Sequence, residues 1–173
     1  AYAGRGATIG LAARREELLN KVAQKSNELG GAAHVFQVDA KDQLACKSAA
    51  EEFMAQAGGI DMVIANAGIG GHDDLMSGDA SAINNIIETN VLGVTNTLMP
   101  FIPAMKEQKS GVLVNVSSIA SFLRIAYHGG YAGAKVNIRL MADSWRLTLS
   151  RYNIQVTTIC PGFIKTPMTA ELK

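Results

Sequence analysis

VNVSSIASFLRIAYHGGYAGAK, the stretch from Val114 to Lys135, decides how the rest of the chain is interpreted. An apolar run ends in two serines, an irregular segment follows, and the stretch closes with a tyrosine and a lysine four residues apart. This order predicts a buried strand, a loop and the start of a helix. Residues four apart share one face of a helix, so Tyr131 and Lys135 would lie about one turn from each other.

The tyrosine and the lysine form an acid/base pair. The lysine cation favours the phenolate form of Tyr131, because an opposite charge stabilises the charged form of its neighbour. A serine hydroxyl at the end of the preceding strand would polarise a substrate oxygen held beside that pair. These groups therefore suit proton transfer to or from a carbonyl or an alcohol.

A serine, twelve intervening residues and then YxxxK resembles the catalytic signature of the short-chain dehydrogenase/reductase family. The spacing places the signature on Ser118, Tyr131 and Lys135 and excludes Ser117. The resemblance covers nearly every residue and implies an α/β fold with a doubly wound, Rossmann-like parallel sheet. It also implies that Asn90 deforms its helix and holds a water that links Lys135 to solvent. The alternative is that Asn90 is a hydrogen-bonded residue of the core.

The composition describes an ordinary globular chain. The 173 residues are 48% hydrophobic and 18% charged, with a formal net charge of +1, which gives no electrostatic reason to expect a nucleic acid or an anionic membrane as partner. We expect one domain over residues 1–173. Cys46 and Cys160 are too few for a disulfide framework and favour a reducing compartment. No window is long enough for a membrane span and Ala1 does not begin a signal peptide, so a cytoplasmic location is predicted.

Apolar runs alternate with helical patterns along the chain, which predicts parallel strands joined by helices and buried on both faces. The predicted strands cover residues 7–13, 33–38, 61–66, 111–118 and 154–160. One long helix is predicted to begin after Asp79, as its N-cap, and to bend at Pro100 and Pro103 before it ends near Lys109. The helix over residues 131–151 is apolar nearly all round.

The resemblance further implies that parts of the family's fold are absent from this chain. Members begin with a strand and a glycine-rich TGxxxGxG turn, and that strand lies at the centre of a sheet of order 3-2-1-4-5-6-7. The strands predicted here correspond to strands 2 to 6, so strands 2 and 4 would flank a gap lined by unpaired backbone groups. We therefore expect the first strand with its turn and the C-terminal strand to belong to a longer natural polypeptide. A naturally truncated, inactive protein is the alternative.

Arg14 and Arg15 follow the first predicted strand, where dinucleotide-binding folds contact the adenosine ribose. An acidic residue at that point binds the 2′-hydroxyl of NAD, whereas an arginine suits the 2′-phosphate of NADP. Ala13 stands at the position that resembles the acidic one, so the sequence favours NADP over NAD. The alternative is that both arginines are solvated at a helix start, although the helix dipole disfavours cations there.

By resemblance, three further segments contribute to the cofactor site. Asp39 would face the adenine amino group, although it also suits a strand end or an N-cap. A turn of small residues resembles the family's NNAG with Ala65 in place of the first asparagine, and its Asn66 would tie neighbouring strands together. A PGxxxT segment after the last strand would hold the nicotinamide carboxamide through the backbone of Ile164 and the hydroxyl of Thr166. In addition to the two arginines, the resemblance assigns the following residues to the cofactor site: Asp39, Asn66, Ala67, Gly68, Tyr131, Lys135, Pro161, Gly162, Ile164 and Thr166.

Three histidines and a second tyrosine are the other candidates for chemistry in this sequence. His34, His72 and His128 lack a metal-ligand spacing, so no metal site is predicted. His34 lies in a predicted strand, and the other two lie in loops that either line the substrate entrance or are solvated. Tyr127 has no lysine four residues later, since position 131 is itself a tyrosine.

The sequence therefore predicts an NADP-dependent oxidoreductase that interconverts a secondary alcohol and its carbonyl. By resemblance, Tyr131 exchanges the proton, Ser118 hydrogen-bonds to the substrate oxygen, Lys135 holds the nicotinamide ribose, and Asn90 completes a water relay. The alternatives are a 3-oxoacyl-thioester reductase and a catalytically inactive dinucleotide-binding regulatory protein. The resemblance also implies a homodimer or homotetramer through the helices at residues 80–109 and 131–151.

Overall fold

Five parallel strands alternate with helices along residues 1–166, the part of the chain that the computed structural model describes. The strands are β1 (Thr8–Ala13), β2 (Ala32–Gln37), β3 (Met62–Ala65), β4 (Gly111–Val116) and β5 (Ile154–Ile159). The α-helices are α1 (Glu16–Glu28), α2 (Gln43–Ala57), α3 (Ser81–Ile87), α4 (Gly93–Leu98), α5 (Ile102–Gln108) and α6 (Gly129–Leu149). The predicted alternation of strands and helices is confirmed.

The strands form two parallel sheets. β1 pairs with β2, while β4 pairs with β3 on one edge and with β5 on the other. No ladder joins β1 to β3 among the described residues, so the gap predicted between these two strands is observed. The strand order on either side of that gap is β2-β1 and β3-β4-β5, which is the order expected of a doubly wound sheet.

The prediction that every strand is buried on both faces fails for each described strand except β4, since β2, β3 and β5 all contain exposed residues. It fails most clearly for β1, whose residues are exposed or half-buried and which has a partner strand on only one edge within residues 1–166. The prediction holds for β4, which has a partner on each edge and is buried or half-buried along its whole length. Burial in a parallel sheet therefore depends here on the number of neighbouring strands.

The main core lies between the sheet β3-β4-β5 and the helices that pack on it. Leu113 of β4 and Ile138 of α6 have no solvent exposure, and Leu98 of α4 and Met105 of α5 are equally buried beside them. In the part of the chain described here, no helix is both long enough and apolar enough to cross a bilayer.

The single long helix predicted over residues 80–109 is interrupted twice. A π-helical turn at Glu88–Leu92 separates α3 from α4, and a 3₁₀ turn at Met99–Phe101 separates α4 from α5. Pro100 and Pro103 lie in and just after the second interruption, as predicted, because proline removes a backbone donor. The first interruption centres on a polar residue of the site and is described below.

Asp79 supports the start of α3 from one residue further out than predicted. The N-cap position belongs to Ala80. Asp79 Oδ2 accepts a hydrogen bond from Ser81 Oγ at 2.7 Å, and its Oδ1 accepts one from Ser81 N at 2.9 Å. The bond from the Ser81 hydroxyl, followed by the bond from its backbone, lowers the pKa of the Asp79 carboxyl below its ordinary value.

Candidate active site

Two hydrogen bonds clamp β4 to α6 where the signature residues meet. Lys135 is only 4% exposed, and its Nζ donates to the carbonyl oxygen of Val116, the last residue of β4, at 2.8 Å. In the opposite direction, Ser117 Oγ donates to the carbonyl oxygen of Lys135 at 2.8 Å. The strand end and the helix therefore hold each other through both a side chain and a backbone group of the same lysine.

The burial of Lys135 changes the pKa of its ammonium group. Desolvation of the ammonium group lowers the pKa of Lys135 from 10.5 to about 8, so the side chain is still mainly cationic at neutral pH. Its Nζ lies 5.8 Å from the centroid of the Tyr131 ring. The predicted adjacency of the ammonium group and the phenol is therefore confirmed. The Tyr131 hydroxyl makes no hydrogen bond to another residue of the described chain.

The two serines that follow β4 differ in burial and in their hydrogen bonds. The hydroxyl of Ser117 is buried and used in the clamp. Ser118 is half-buried, and its Oγ accepts a hydrogen bond from Ala120 N at 3.1 Å at the start of the 3₁₀ turn Ile119–Phe122. That bond uses an acceptor lone pair of Ser118 Oγ, so its hydroxyl proton remains for an acceptor such as a substrate oxygen.

Asn90 lies fully buried in the π-helical turn Glu88–Leu92. Its Oδ1 accepts from Ile69 N and its Nδ2 donates to Ile69 O, both at 2.8 Å. Both alternatives for this residue hold in part, since the amide is satisfied within the core and the helix around it is deformed. A Cβ added at Gly68 would lie 3.1 Å from Asn90 Oδ1 and 3.3 Å from Lys135 Nζ, so glycine lets three segments meet here.

The remainder of the turn after β3 is open to solvent. Asn66 and Ala67 are exposed, and Gly68 is half-buried. The Asn66 side chain makes no hydrogen bond to any residue that the structure describes, and β3 has a partner strand on one edge only, so the prediction that Asn66 ties neighbouring strands together stays a prediction. Asn66 lies beyond the last register pair of β3 and β4, which joins Ala65 to Asn115.

Two arginines occupy the carboxyl end of β1. Arg14 and Arg15 are exposed, and neither joins an ion pair with another residue in positions 1–166. Arg15 holds the N-cap position of α1 without a capping hydrogen bond from its side chain. Cations at a helix N-terminus oppose the helix dipole, so both guanidinium groups are available for an anion.

Asp39 follows β2 and is half-buried. Its Oδ1 accepts a hydrogen bond from Lys41 N at 3.0 Å. The alternative that Asp39 caps the next helix is wrong, because Asp42 is the N-cap of α2 and its Oδ1 accepts from Ala45 N at 2.9 Å. Asp39 therefore stabilises the turn at the strand end.

The segment after β5 returns to the serine turn. Ile119 N donates to the carbonyl oxygen of Pro161 at 2.9 Å, which places this segment directly beside the residue that follows Ser118. Gly162 and Ile164 come next and are exposed, as is Thr166. The residues that follow β4 and β5 therefore lie next to each other, beside Ser118.

The loop histidines come together, although their sequence spacing does not suggest it. The ring centroids of His72 and His128 lie 4.5 Å apart, and the Tyr127 ring lies 6.5 Å from that of His72. His34 lies in β2 with its ring edge-on to Phe53. Over residues 1–166 no group of three His, Cys, Asp or Glu side chains is placed to hold a metal ion.

One buried side chain of this region was missed by the sequence analysis. Asp73 is only 6% exposed, and its Oδ2 accepts a hydrogen bond from Gly130 N at 3.0 Å, at the start of α6. Nothing in the sequence separates Asp73 from its exposed neighbour Asp74. The only signal is the pair Gly129-Gly130, which leaves room for a close approach to the helix.

These groups fit a nicotinamide dinucleotide. Unpaired guanidinium groups suit a phosphate, a buried ammonium donor suits ribose hydroxyls, and the small turn at residues 66–68 leaves its backbone accessible. All of them lie at the carboxyl ends of parallel strands, where open α/β sheets bind their ligands. The fold and the site together define a Rossmann-type dinucleotide-binding protein.

Residues 1–173 match the family model for short chain dehydrogenases, and the chain belongs to that family. It is 34% identical over 168 residues to an uncharacterized oxidoreductase of Myxococcus xanthus, covering 97% of this chain and 66% of that protein. It is 30% identical over 171 residues to a 3-oxoacyl-acyl-carrier-protein reductase of Thermotoga maritima, covering 99% of this chain and 70% of that protein. The chain thus spans about two thirds of the length of these relatives.

Solved structures share the fold. The crystal structure of a 3-ketoacyl-ACP reductase from Sinorhizobium meliloti 1021 has a TM-score of 0.89 at 28% identity, covering 95% of this chain and 66% of that one. An alcohol dehydrogenase from Thermococcus sibiricus complexed with 5-hydroxy-NADP has a TM-score of 0.88 at 26% identity, covering 95% and 69%. NAD⁺-bound xylitol dehydrogenase has a TM-score of 0.90 at 25% identity, covering 95% and 64%. The predicted Rossmann-like fold is confirmed.

Replacing the buried lysine should alter the pH dependence of stability. In the folded protein the Lys135 ammonium loses its proton near pH 8, against 10.5 for an ordinary lysine. Between pH 8 and pH 10.5 the unfolded chain binds more protons at this lysine than the folded protein does. Lys135 therefore makes the free energy of unfolding rise with pH over this range. This contribution to stability is lost as the pH falls through 8. We expect Lys135→Met to remove this part of the rise in denaturant titrations.

The matched control is Lys25→Met, which removes an exposed lysine of α1. This variant should keep the parent's rise in the free energy of unfolding between pH 8 and 10.5. Identical pH profiles for the parent and Lys135→Met would show that the buried ammonium does not have the lowered pKa.

Proposed function

We propose that this protein is an NADP-dependent oxidoreductase that interconverts a secondary alcohol and its carbonyl. The observation that carries the proposal is the phenol of Tyr131 beside a buried lysine cation, with 5.8 Å between Lys135 Nζ and the ring centroid. The pair lies beside the end of β4, where Ser118 keeps a hydroxyl proton for a substrate oxygen.

In the reductive direction, Tyr131 donates its hydroxyl proton to the carbonyl oxygen of the substrate. Ser118 donates a hydrogen bond to the same oxygen and so stabilises the charge that develops there. The nicotinamide, when bound, supplies the hydride that reaches the carbonyl carbon. Lys135 stabilises the tyrosinate that remains and donates to the nicotinamide ribose, and the deformed helix at Asn90 carries the water relay that returns the proton. Oxidation of the alcohol uses the same groups in reverse.

The preference for NADP is supported by the two arginines that follow β1. Their guanidinium groups are exposed and pair with no described acidic residue, so a 2′-phosphate would give Arg14 an ionic partner that NAD lacks. The first residue after the strand end is therefore suited to an anion and unsuited to a bare ribose hydroxyl, for which a carboxylate is the usual partner.

A second candidate function is reduction of a 3-oxoacyl thioester. It is supported by the similarity to the reductases of Thermotoga maritima and Sinorhizobium meliloti, both named for acyl-carrier-protein substrates. The chemistry at Tyr131 is the same in both cases. A panel of secondary alcohols, simple ketones and 3-oxoacyl thioesters, assayed with NADP(H) and NAD(H), separates the two. Cofactor binding without turnover of any of them would instead favour the inactive regulatory alternative.

A second copy of this chain is the proposed partner. Leu140 is 56% exposed and Leu147 is 82% exposed, and both lie in line with Gly133 at seven-residue steps along α6. Leu92 and Met99 are also exposed on the interrupted helix that precedes β4. An apolar stripe of this kind is typical of an interface, so we propose that these two helical segments pair in a homo-oligomer.

Tyr131→Phe should lower kcat about a hundredfold to ten-thousandfold, because the phenylalanine ring cannot transfer a proton. Cofactor affinity, measured by nucleotide fluorescence, should stay close to that of the parent. Tyr127→Phe is the control, since it removes the hydroxyl of a nearby exposed tyrosine that has no lysine partner. Turnover by Tyr131→Phe at the parent rate would refute the assignment of the acid.

Arg14→Ala should weaken NADP binding about tenfold to a hundredfold through loss of a charge-assisted hydrogen bond, and should leave NAD binding nearly unchanged. The control is Arg5→Ala, which removes an exposed arginine before the amino end of β1. Dissociation constants from titration calorimetry give the comparison. Equal losses of affinity for NADP and NAD would contradict the proposal that Arg14 binds the 2′-phosphate.

Leu140→Asp should raise the dissociation constant of the homo-oligomer about tenfold or more, because it buries a carboxylate in an apolar interface. Leu44→Asp places the same charge at a more exposed leucine of α2 and should leave assembly unchanged. Sedimentation velocity over a range of concentrations distinguishes the two. A monomeric parent, or equal behaviour of both variants, would contradict the proposed interface.

A further inference from the structure

The helix that carries Tyr131 begins without a capping side chain of its own. His128 holds the N-cap position of α6 and makes no side-chain hydrogen bond to the helix. The first N–H groups of a helix have no partner within it, and one of them is usually satisfied by the residue at the N-cap. In α6 a side chain from a distant part of the chain takes that role.

That side chain is Asp73, in the loop between β3 and α3. Its Oδ2 accepts from Gly130 N at 3.0 Å, and its Oδ1 lies at 3.2 Å from the same nitrogen. Its own backbone N–H donates to the carbonyl oxygen of Tyr127 at 2.7 Å. The residue is therefore tied both to the first turn of α6 and to the loop that leads into it. A carboxylate is also the favourable charge at a helix N-terminus.

The two glycines at the helix start fit this arrangement. A Cβ at Gly129 would lie 3.0 Å from Asp73 Oδ2. A Cβ at Gly130 would lie 3.0 Å from Asp73 Oδ1 and 3.2 Å from Ile83 Cγ2. Glycine is a poor helix former, so a pair of glycines in a first turn indicates a need for space. The space here is occupied by the carboxylate.

The approach to the helix is strained. Tyr127 has a φ of 60°, in the left-handed region that non-glycine residues rarely adopt. Such a conformation persists only where the surroundings fix it. The hydrogen bond from Asp73 N to Tyr127 O and the bonds from Gly130 N to Asp73 fix the loop on both sides of His128.

We propose that Asp73 is a positioning residue that sets the place of the Tyr131 hydroxyl. The proposal rests on the function proposed above. Gly130, which Asp73 holds, immediately precedes Tyr131, and Lys135, one turn later, is clamped to β4. Tyr131 thus stands between two anchors on its own helix. Without the first anchor the helix end can fray, and small displacements of a reacting group lower the rate steeply.

The test compares Asp73→Ala with Asp74→Ala in the natural protein. Asp74 is the exposed neighbour of the same charge, and its Oδ1 accepts a hydrogen bond from Ser77 N in its own loop. We expect Asp73→Ala to lower kcat by about tenfold to a hundredfold while the KM for NADP stays within about twofold of the parent. Asp73→Asn keeps an acceptor oxygen and should recover most of the rate. Asp74→Ala should match the parent throughout.

Amide hydrogen exchange supplies a readout that does not depend on turnover. Exchange in the first turn of α6 should rise in Asp73→Ala and stay unchanged in Asp74→Ala. If Asp73→Ala does not fold, Gly130→Ala takes its place, because the added Cβ would displace the carboxylate and should lower kcat in the same way. Unchanged exchange in the first turn overturns the proposal.

The kinetic outcomes separate this inference from the function on which it rests. An active parent together with an Asp73→Ala variant of equal kcat overturns the positioning role alone. A loss of thermal stability with an unchanged kcat has the same meaning, since it assigns Asp73 a structural role only. A parent that turns over no alcohol, ketone or thioester refutes the proposed function, and the positioning role fails with it.

Discussion

The clamp between Lys135 and the end of β4 is the constraint on which the site depends. Burying an ammonium group is unfavourable by several kcal/mol unless hydrogen bonds replace its water, and here Val116 O accepts one at 2.8 Å. The residual penalty is visible in the pKa of Lys135, which desolvation lowers to about 8. Because Ser117 Oγ binds the backbone of the same lysine, β4 and α6 cannot shift against each other without breaking both bonds. The strand end that leads into Ser118 and the helix that carries Tyr131 are held together in this way.

The π-helical turn at Asn90 shows how the same region accommodates a second buried polar group. An amide inside a helical layer needs both a donor and an acceptor, and Ile69 offers its backbone N–H and carbonyl at 2.8 Å each. That pairing holds the turn after β3 against the helix, where Gly68 gives Asn90 and Lys135 room to approach. Three segments far apart in sequence thus meet around two buried polar side chains, while the core behind them is apolar.

Sequence patterns predicted the features that are set by residues close together in the chain, such as helix faces and strand positions. The spacing of Tyr131 and Lys135 located the helix face, and alternating apolar runs located the strands within a residue or two. Asp73 could not be found this way, because its partner Gly130 lies 57 residues away and Asp74 beside it has the same chemistry. The exposure of β1 was missed for a similar reason, since burial depends on how many strands flank it.

Hydrogen bonds between the turn after β2 and two helices hold the two halves of the candidate site together. Within residues 1–166, Asn96 Nδ2 donates to Ala40 O at 2.9 Å and Lys41 Nζ donates to Asn85 Oδ1 at 3.2 Å. These bonds attach the turn after β2 to α3 and α4. The arginines proposed to bind the 2′-phosphate sit on one side of this joint, and the tyrosine–lysine pair sits on the other. These hydrogen bonds therefore help to keep the two proposed ends of the dinucleotide site at a fixed separation.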